Sequence, residues 1–236
     1  MSDETTLIEE TKWQYEQLAK IVIGKLTRRY INAYYYPSSQ EALAKIMELV
    51  PAGASVGRGD SMTADQIGVM EELKRRNRNE IMDPFERDEN GKLTASPEEY
   101  PILQKKCLLA DVFITGINAI TLDGKLVSTD SRGNRVGPVI YGPPKVILVA
   151  GANKIVRNLE EALDRIRTVA APLNAKRHLL KHGAESFASF PCVKSGICAD
   201  CNEPARICRK TIIIEGERSQ DPDRMHVVIV GETLGI

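Results

Sequence analysis

Lys145-Val-Ile-Leu-Val-Ala150 is the stretch whose reading decides the fold. It is an unbroken apolar run with no alternating polar positions. Gly142-Pro143-Pro144 stands before it and Gly151-Ala152-Asn153 after it. A short continuous apolar run between turn signals reads as a strand buried on both faces, the pattern of a parallel sheet covered by helices. Working outward, residues 158–169 have helical spacing, and Pro172 starts a second helix that fades near His182. Further strands are expected at 32–36, 54–56, 81–83, 111–115, 117–121, 125–128, 211–215 and 226–230, with helices at 39–50, 63–76 and 96–110 between them. Ser96 and Glu99 form a capping-box pair at the start of the last of these helices. Asp123-Gly124 is a hairpin turn. Strands alternating with helices predict an α/β chain with a Rossmann-like, mostly parallel sheet and helices on both faces.

Residues 6–30 read as a long amphipathic helix carrying Leu7, Trp13, Leu18, Ile21, Val22 and Leu26. The chain therefore divides into an N-terminal helix, 1–30, and a single α/β domain, 31–236. That domain includes a cysteine-bearing segment at 189–211. The 236 residues are 42% hydrophobic and 27% charged, ordinary for a folded domain. Lys+Arg and Asp+Glu stand at 32 each, so net charge directs the molecule toward neither nucleic acid nor anionic membrane. Apolar runs fall well short of the ~20 residues that span a bilayer. Met1-Ser2-Asp3-Glu4 lacks the basic and apolar start of a secretory signal, so the expected compartment is the cytoplasm, with reduced thiols.

Four of the five cysteines fall in the spacing Cys192-x5-Cys198-x2-Cys201-x6-Cys208. Clustered thiols in a reducing compartment point to metal ligation. Cys198 and Cys201 form a chelating pair, and Pro191, Gly196 and Pro204 supply the turns of a wrapping loop. Four thiolates suit tetrahedral zinc or an iron–sulfur cubane. A single tight pair flanked by two lone cysteines favours the iron–sulfur cluster, 4Fe-4S, with zinc the alternative. Cys107 stands apart as a small buried hydrophobe.

Two loops at expected strand ends carry candidate ligand-binding residues. In Gly57-Arg-Gly-Asp-Ser-Met-Thr63, Gly59 permits close approach while Ser61 and Thr63 supply hydroxyls; the competing reading is a helix cap. In 115–137, Asn118, Thr121, Asp130, Asn134 and Arg135 converge as candidates for a carboxylate or phosphate. Asn153 and Lys154 follow the decisive strand, where ligands of open α/β sheets sit. His178 and His182 share a helical spacing but lack a third ligand. No Gly-x-Ser-x-Gly or His-Glu-x-x-His motif is present, so the common hydrolase mechanisms have no support.

The runs at 114–127, 133–136 and 141–156, with the Gly59-Asp-Ser-Met-Thr63 loop, resemble the LUD-domain family, the lactate-utilisation proteins of the C type, formerly DUF162. The closing Pro191-Cys192 through Cys208 resembles a cysteine-bearing branch of it. This resemblance implies a sheet like that of the sugar-phosphate isomerase and CoA-transferase fold. It also implies a place in L-lactate oxidation as an iron–sulfur redox or accessory subunit. The partners implied by the resemblance are iron–sulfur partner subunits; a small anionic metabolite, expected from the loops, and a second copy of the chain are further expected partners. The lactate-utilisation members are not defined by a four-cysteine tail, and no glutamate stands where a CoA-transferase nucleophile would. The alternatives are a non-redox enzyme or sensor of carboxylates or sugar phosphates with structural zinc, and a scaffold docking through its N-terminal helix.

Overall fold

The structure is a computed structural model that describes residues 3–183 and 185–236. The side chains of residues 3–7, 181 and 182, Leu7 and His182 among them, lie outside the described ones. Along the chain, α1 (Asp3–Thr27) leads to β1 (Asn32–Tyr36), α2 (Ser39–Leu49) and β2 (Ser55–Arg58). Then come α3 (Met62–Gln66), α4 (Val69–Arg76), β3 (Glu80–Met82), α5 (Glu99–Lys106) and β4 (Val112–Gly116). The hairpin of β5 (Ala119–Thr121) and β6 (Leu126–Asp130) precedes α6 (Val136–Ile140), β7 (Lys145–Gly151) and β8 (Ile155–Val156). Helices α7 (Leu159–Arg165) and α8 (Ala171–His182) are fused by a π turn over Ile166–Ala170. Last come α9 (Pro191–Ser195), β9 (Lys210–Ile214) and β10 (Met225–Val230).

Six strands form an all-parallel sheet in the order β1-β10-β7-β4-β2-β3. β7 lies in its middle, as its apolar run requires. Val146, Leu148 and Ala150 point into one core with Ala19, Val22 and Leu26 of α1; Ile147 and Val149 point into the other with Ile46, Met70 and Leu73. This alternation, with no polar side, is why the strand reads as continuous hydrophobe. The mostly parallel, helix-covered sheet expected from the sequence is therefore present. The expected hairpin also forms, with β5 and β6 antiparallel across Asp123-Gly124. So does the capping box: Ser96 N–H donates to Glu99 at 3.0 Å and Glu99 N–H to Ser96 Oγ at 3.2 Å.

Three features differ from the sequence reading. First, β5, β6, β8 and β9 leave the main sheet and form a second, mixed sheet in the order β8-β5-β6-β9. Second, the helix expected over 63–76 is broken in two, because Gly68 takes φ 76° between α3 and α4. Third, α1 buries the stripe Ala19, Val22 and Leu26, against which Tyr15 and Ile23 pack. Trp13 stays 64% and Ile21 48% exposed, because both lie off that i, i+3, i+4 stripe. Among the described residues no helix is long and apolar enough to cross a membrane.

The strand order fixes where a ligand can sit. From β2 the chain winds outward to β3, then returns to place β4 on the other side of β2, followed by β7 and β10. The loops after β2 and β4 diverge at this reversal and open a crevice at the strands' carboxyl ends. The second sheet starts at that edge, since β5 follows β4 and β8 follows β7 within a few residues.

Candidate functional site

A cavity of about 640 Å³ occupies this crevice. Its walls come from the turns after β2, β4, β6 and β7, from α8, and from the segment preceding β9. Among the expected ligand-binding residues, Ser61, Asn118, Asp130, Asn134, Arg135 and Lys154 line it. Gly59, Thr63, Thr121 and Asn153 do not, and each has local work. Thr121 Oγ accepts from Lys125 N–H at 2.8 Å in the hairpin turn. Asn153 Oδ1 accepts from Leu234 N–H at 3.1 Å. Thr63 is buried and accepts a bond from Lys154 Nζ at 2.9 Å. At Gly59 a Cβ would stand 2.5 Å from Thr115 Oγ1 and 2.9 Å from Arg135 Cγ, so only glycine lets this turn pass. Ser61 caps α3, its Oγ accepting from Ala64 N–H at 3.2 Å, so the capping reading of that loop holds along with its place on the cavity wall.

Arg135 is held without a carboxylate. Its guanidinium donates to Gly116 O (3.2 Å), Asn118 Oδ1 (3.2 Å) and Thr129 O (2.7 Å). Asn118 is itself fixed, its Oδ1 also accepting from Ser128 Oγ and Thr129 N–H. Asp130 is occupied by the N–H groups of Ser131, Arg135 and Val136, and acts on Arg135 only at longer range. Arg165 Nη1 donates to Asn118 O at 2.8 Å. Among the described residues, Arg135, Arg165 and Lys154 make no ion pair. Burial, then the charges of Arg165 and Arg135, pulls the Lys154 ammonium down to about 7. Burial likewise holds Arg135 and Arg165 below the ordinary guanidinium value. Buried Lys154 and half-buried Arg135 and Arg165, none of them ion-paired among the described residues, give this wall a positive character that a small anion would offset, with Asp130 and Asp60 acting on Arg135 only from farther off.

Other residues of the cavity were not among those expected to bind a ligand. Asp60 pairs with Arg177, tying the turn after β2 to α8. Arg58, behind it, bonds Asp65 at 2.6 Å and Asp83 at 3.3 Å. Phe85 and Tyr100, edge to face at 6.0 Å, line the rim, as does His178 stacked on Phe187 at 5.0 Å. Burial first, then Arg177, lowers the His178 pKa. His226 is far from this cavity in role: it stacks on Tyr34 and its Nε2 lies 2.9 Å from Asp223 O.

All five cysteines are free thiols, and Cys107 is buried, with its thiol pushed up to about 11 by that burial. Cys192, Cys198, Cys201 and Cys208 border one small cavity of about 20 Å³, walled by Ala171, Pro172, Ala175 and Phe190. Burial and then the three other sulfurs raise the Cys192 thiol. Arg206 clamps the segment: its Nε donates to Cys208 Sγ at 3.3 Å, and its Nη atoms reach Cys201 O and Asp200. Among the described residues, however, no three His, Cys, Asp or Glu side chains stand at metal-holding separation. The sulfurs share a cavity without closing on one point. Arg206 and Cys208 line the larger cavity as well, so the two share a wall.

A six-stranded parallel α/β protein with a cationic crevice at its topological switch point is the class this geometry defines. Residues 19–230 match the profile of the LUD domain, and the chain belongs to the LUD-domain family. The crystal structure of a DUF162 family protein from Deinococcus radiodurans is similar in fold, with TM-score 0.52 and 15% identity over 92% of this chain and 98% of that one. A search of the curated proteins finds no match.

Proposed function

We propose that this LUD-domain protein binds a small carboxylate of the lactate–pyruvate class and serves organic-acid utilisation as a redox or accessory subunit. The observation that carries the reading is Arg135, a half-buried guanidinium that makes no ion pair among the described residues, on the wall of a 640 Å³ crevice that it shares with the buried Lys154 amine. A guanidinium fork suits a carboxylate, and a half-buried cation without an ion pair gains from one. Asn118 adds an oriented amide beside it.

Cys192, Cys198, Cys201 and Cys208 are the residues that would hold an iron–sulfur cluster. Their donor set is wholly thiol, and the Arg206 N–H bond to Cys208 sulfur suits a thiolate. When bound, such a cluster supplies one-electron transfer. The shared wall of Arg206 and Cys208 puts that segment beside the anion crevice. Iron–sulfur partner subunits and a second copy of the chain are the partners this reading brings. The small volume between the sulfurs favours a second reading, a single structural zinc with a non-redox ligand site.

Anaerobic purification with metal and sulfide analysis separates the two. Iron and sulfide in equal amounts, with visible absorption, support the redox reading; a colourless protein with stoichiometric zinc overturns it. Thermal shifts with lactate, pyruvate and phosphate test the crevice. No shift with any of them would overturn the carboxylate reading.

A further inference from the structure

Lys154 differs from an ordinary anion-binding lysine. It sits in the 3₁₀ turn Ala152–Lys154 after β7, at the crevice wall, and is only 4% exposed. Among the described residues its Nζ has one hydrogen bond, to Thr63 Oγ1 at 2.9 Å. The charged groups acting on it are Arg165 from α7 and Arg135 from the turn before α6, both of its own sign. Gly235 approaches it from the chain's end, where a Cβ would come within 2.9 Å of Nζ. Binding an anion needs only a charge, which Arg135 already supplies beside Asn118. A buried amine on the crevice wall, repelled by two guanidinium groups and held by one neutral hydroxyl, is instead disposed to keep its lone pair, the condition for a lysine nucleophile.

We propose that Lys154 is a nucleophile that forms an imine with the carbonyl of a small carboxylate whose anionic end lies on Arg135. The ligand class is thus a 2-oxo acid or a similarly compact carbonyl acid. The Nζ lone pair attacks the carbonyl carbon, giving a carbinolamine after one proton moves from nitrogen to oxygen. Loss of that oxygen as water then leaves a C=N bond. No electrons are exchanged, and water carries away the carbonyl oxygen. Its proton bookkeeping requires an amine neutral near pH 7, consistent with the downward pull of burial on this group. The proposal rests on the crevice being an anion site.

The test uses the full chain with pyruvate and cyanoborohydride, which reduces an imine to a stable secondary amine. Peptide mapping reads the modified lysines. The expected result is labelling at Lys154 at least about tenfold above exposed lysines such as Lys20, since a lowered pKa enriches the neutral amine. Lys154→Arg, which keeps the charge, should lose that adduct, and Lys154→Met provides a second folded control. Lactate, which has no carbonyl, should give no adduct. Calorimetric binding of pyruvate to the wild-type chain is measured in parallel. Binding without a Lys154 adduct overturns the nucleophile alone; absence of both binding and adduct overturns the anion site with it. Labelling of Lys154 no greater than that of exposed lysines also overturns the proposal.

Discussion

Replacing Lys154 by methionine should stabilise the protein near neutral pH, and the gain should vanish in alkali. The lysine's ordinary value is 10.5 and burial brings it to about 7 in the folded chain. Between those limits the unfolded chain binds a proton that the folded chain does not, so stability rises with pH across that window. Below about 7 the folded protein must bury the ammonium itself, and the full cost applies. At ~1.36 kcal/mol per pH unit the gap corresponds to about 5 kcal/mol. Methionine removes this cost, retains most of the apolar stem, and gives up one hydrogen bond to Thr63, worth ~1 kcal/mol. The net gain is about 3–4 kcal/mol at pH 6.5, or roughly 10 °C in Tm for a chain of this size. Thermal melts of wild type and Lys154→Met at pH 6.5 and pH 10 are the assay, and the two curves should converge at the higher pH. A difference that is absent at pH 6.5, or equal at both pH values, would refute the reasoning.

Other substitutions test neighbouring features. Thr115 Oγ1 is buried with no hydrogen-bond partner among the described residues, so Thr115→Val should leave chemical-denaturation stability unchanged or raise it by ~1 kcal/mol. Gly59→Ala drives a Cβ to 2.5 Å from Thr115 Oγ1 and 2.9 Å from Arg135 Cγ. A loss of about 1–3 kcal/mol is expected in the same assay, with weaker carboxylate binding because Arg135 is displaced. Asp83→Ala removes one of the two acids on buried Arg58 while Asp65 remains, so about 2–3 kcal/mol should be lost, read as a lower denaturation midpoint.

The parallel sheet was legible because its strands are buried on both faces, which writes burial into the sequence as unbroken apolar runs at 146–150 and 227–230. Local chemistry was equally readable: Ser96 with Glu99 and Asp123-Gly124 form the cap and the turn their residue types demand. Which sheet each strand joins was not legible. Ile120 and Ile213 have the same β-prone character as the central strands, and only tertiary pairing puts them in the second sheet. Val22 and Leu26 of the expected α1 face are buried, but Trp13 was included because it is large and apolar, while small Ala19 completes the buried stripe. Arg135 and Lys154 stood out because they follow strand ends. Asp60–Arg177, Arg165 and the aromatic rim come from distant segments and carry no local signal. The four cysteines of that spacing border one small cavity, but spacing does not encode how closely four sulfurs approach.

The central claim is that Arg135, which makes no ion pair among the described residues, makes the switch-point crevice an anion site. Isothermal titration of pyruvate into the wild-type chain and into Arg135→Met tests it most directly. Saturable binding to wild type, weakened at least about tenfold in the variant, corresponds to losing one charge-assisted bond of ~1.5–3 kcal/mol. Equal affinity in the two proteins, with the variant folded, would contradict the account.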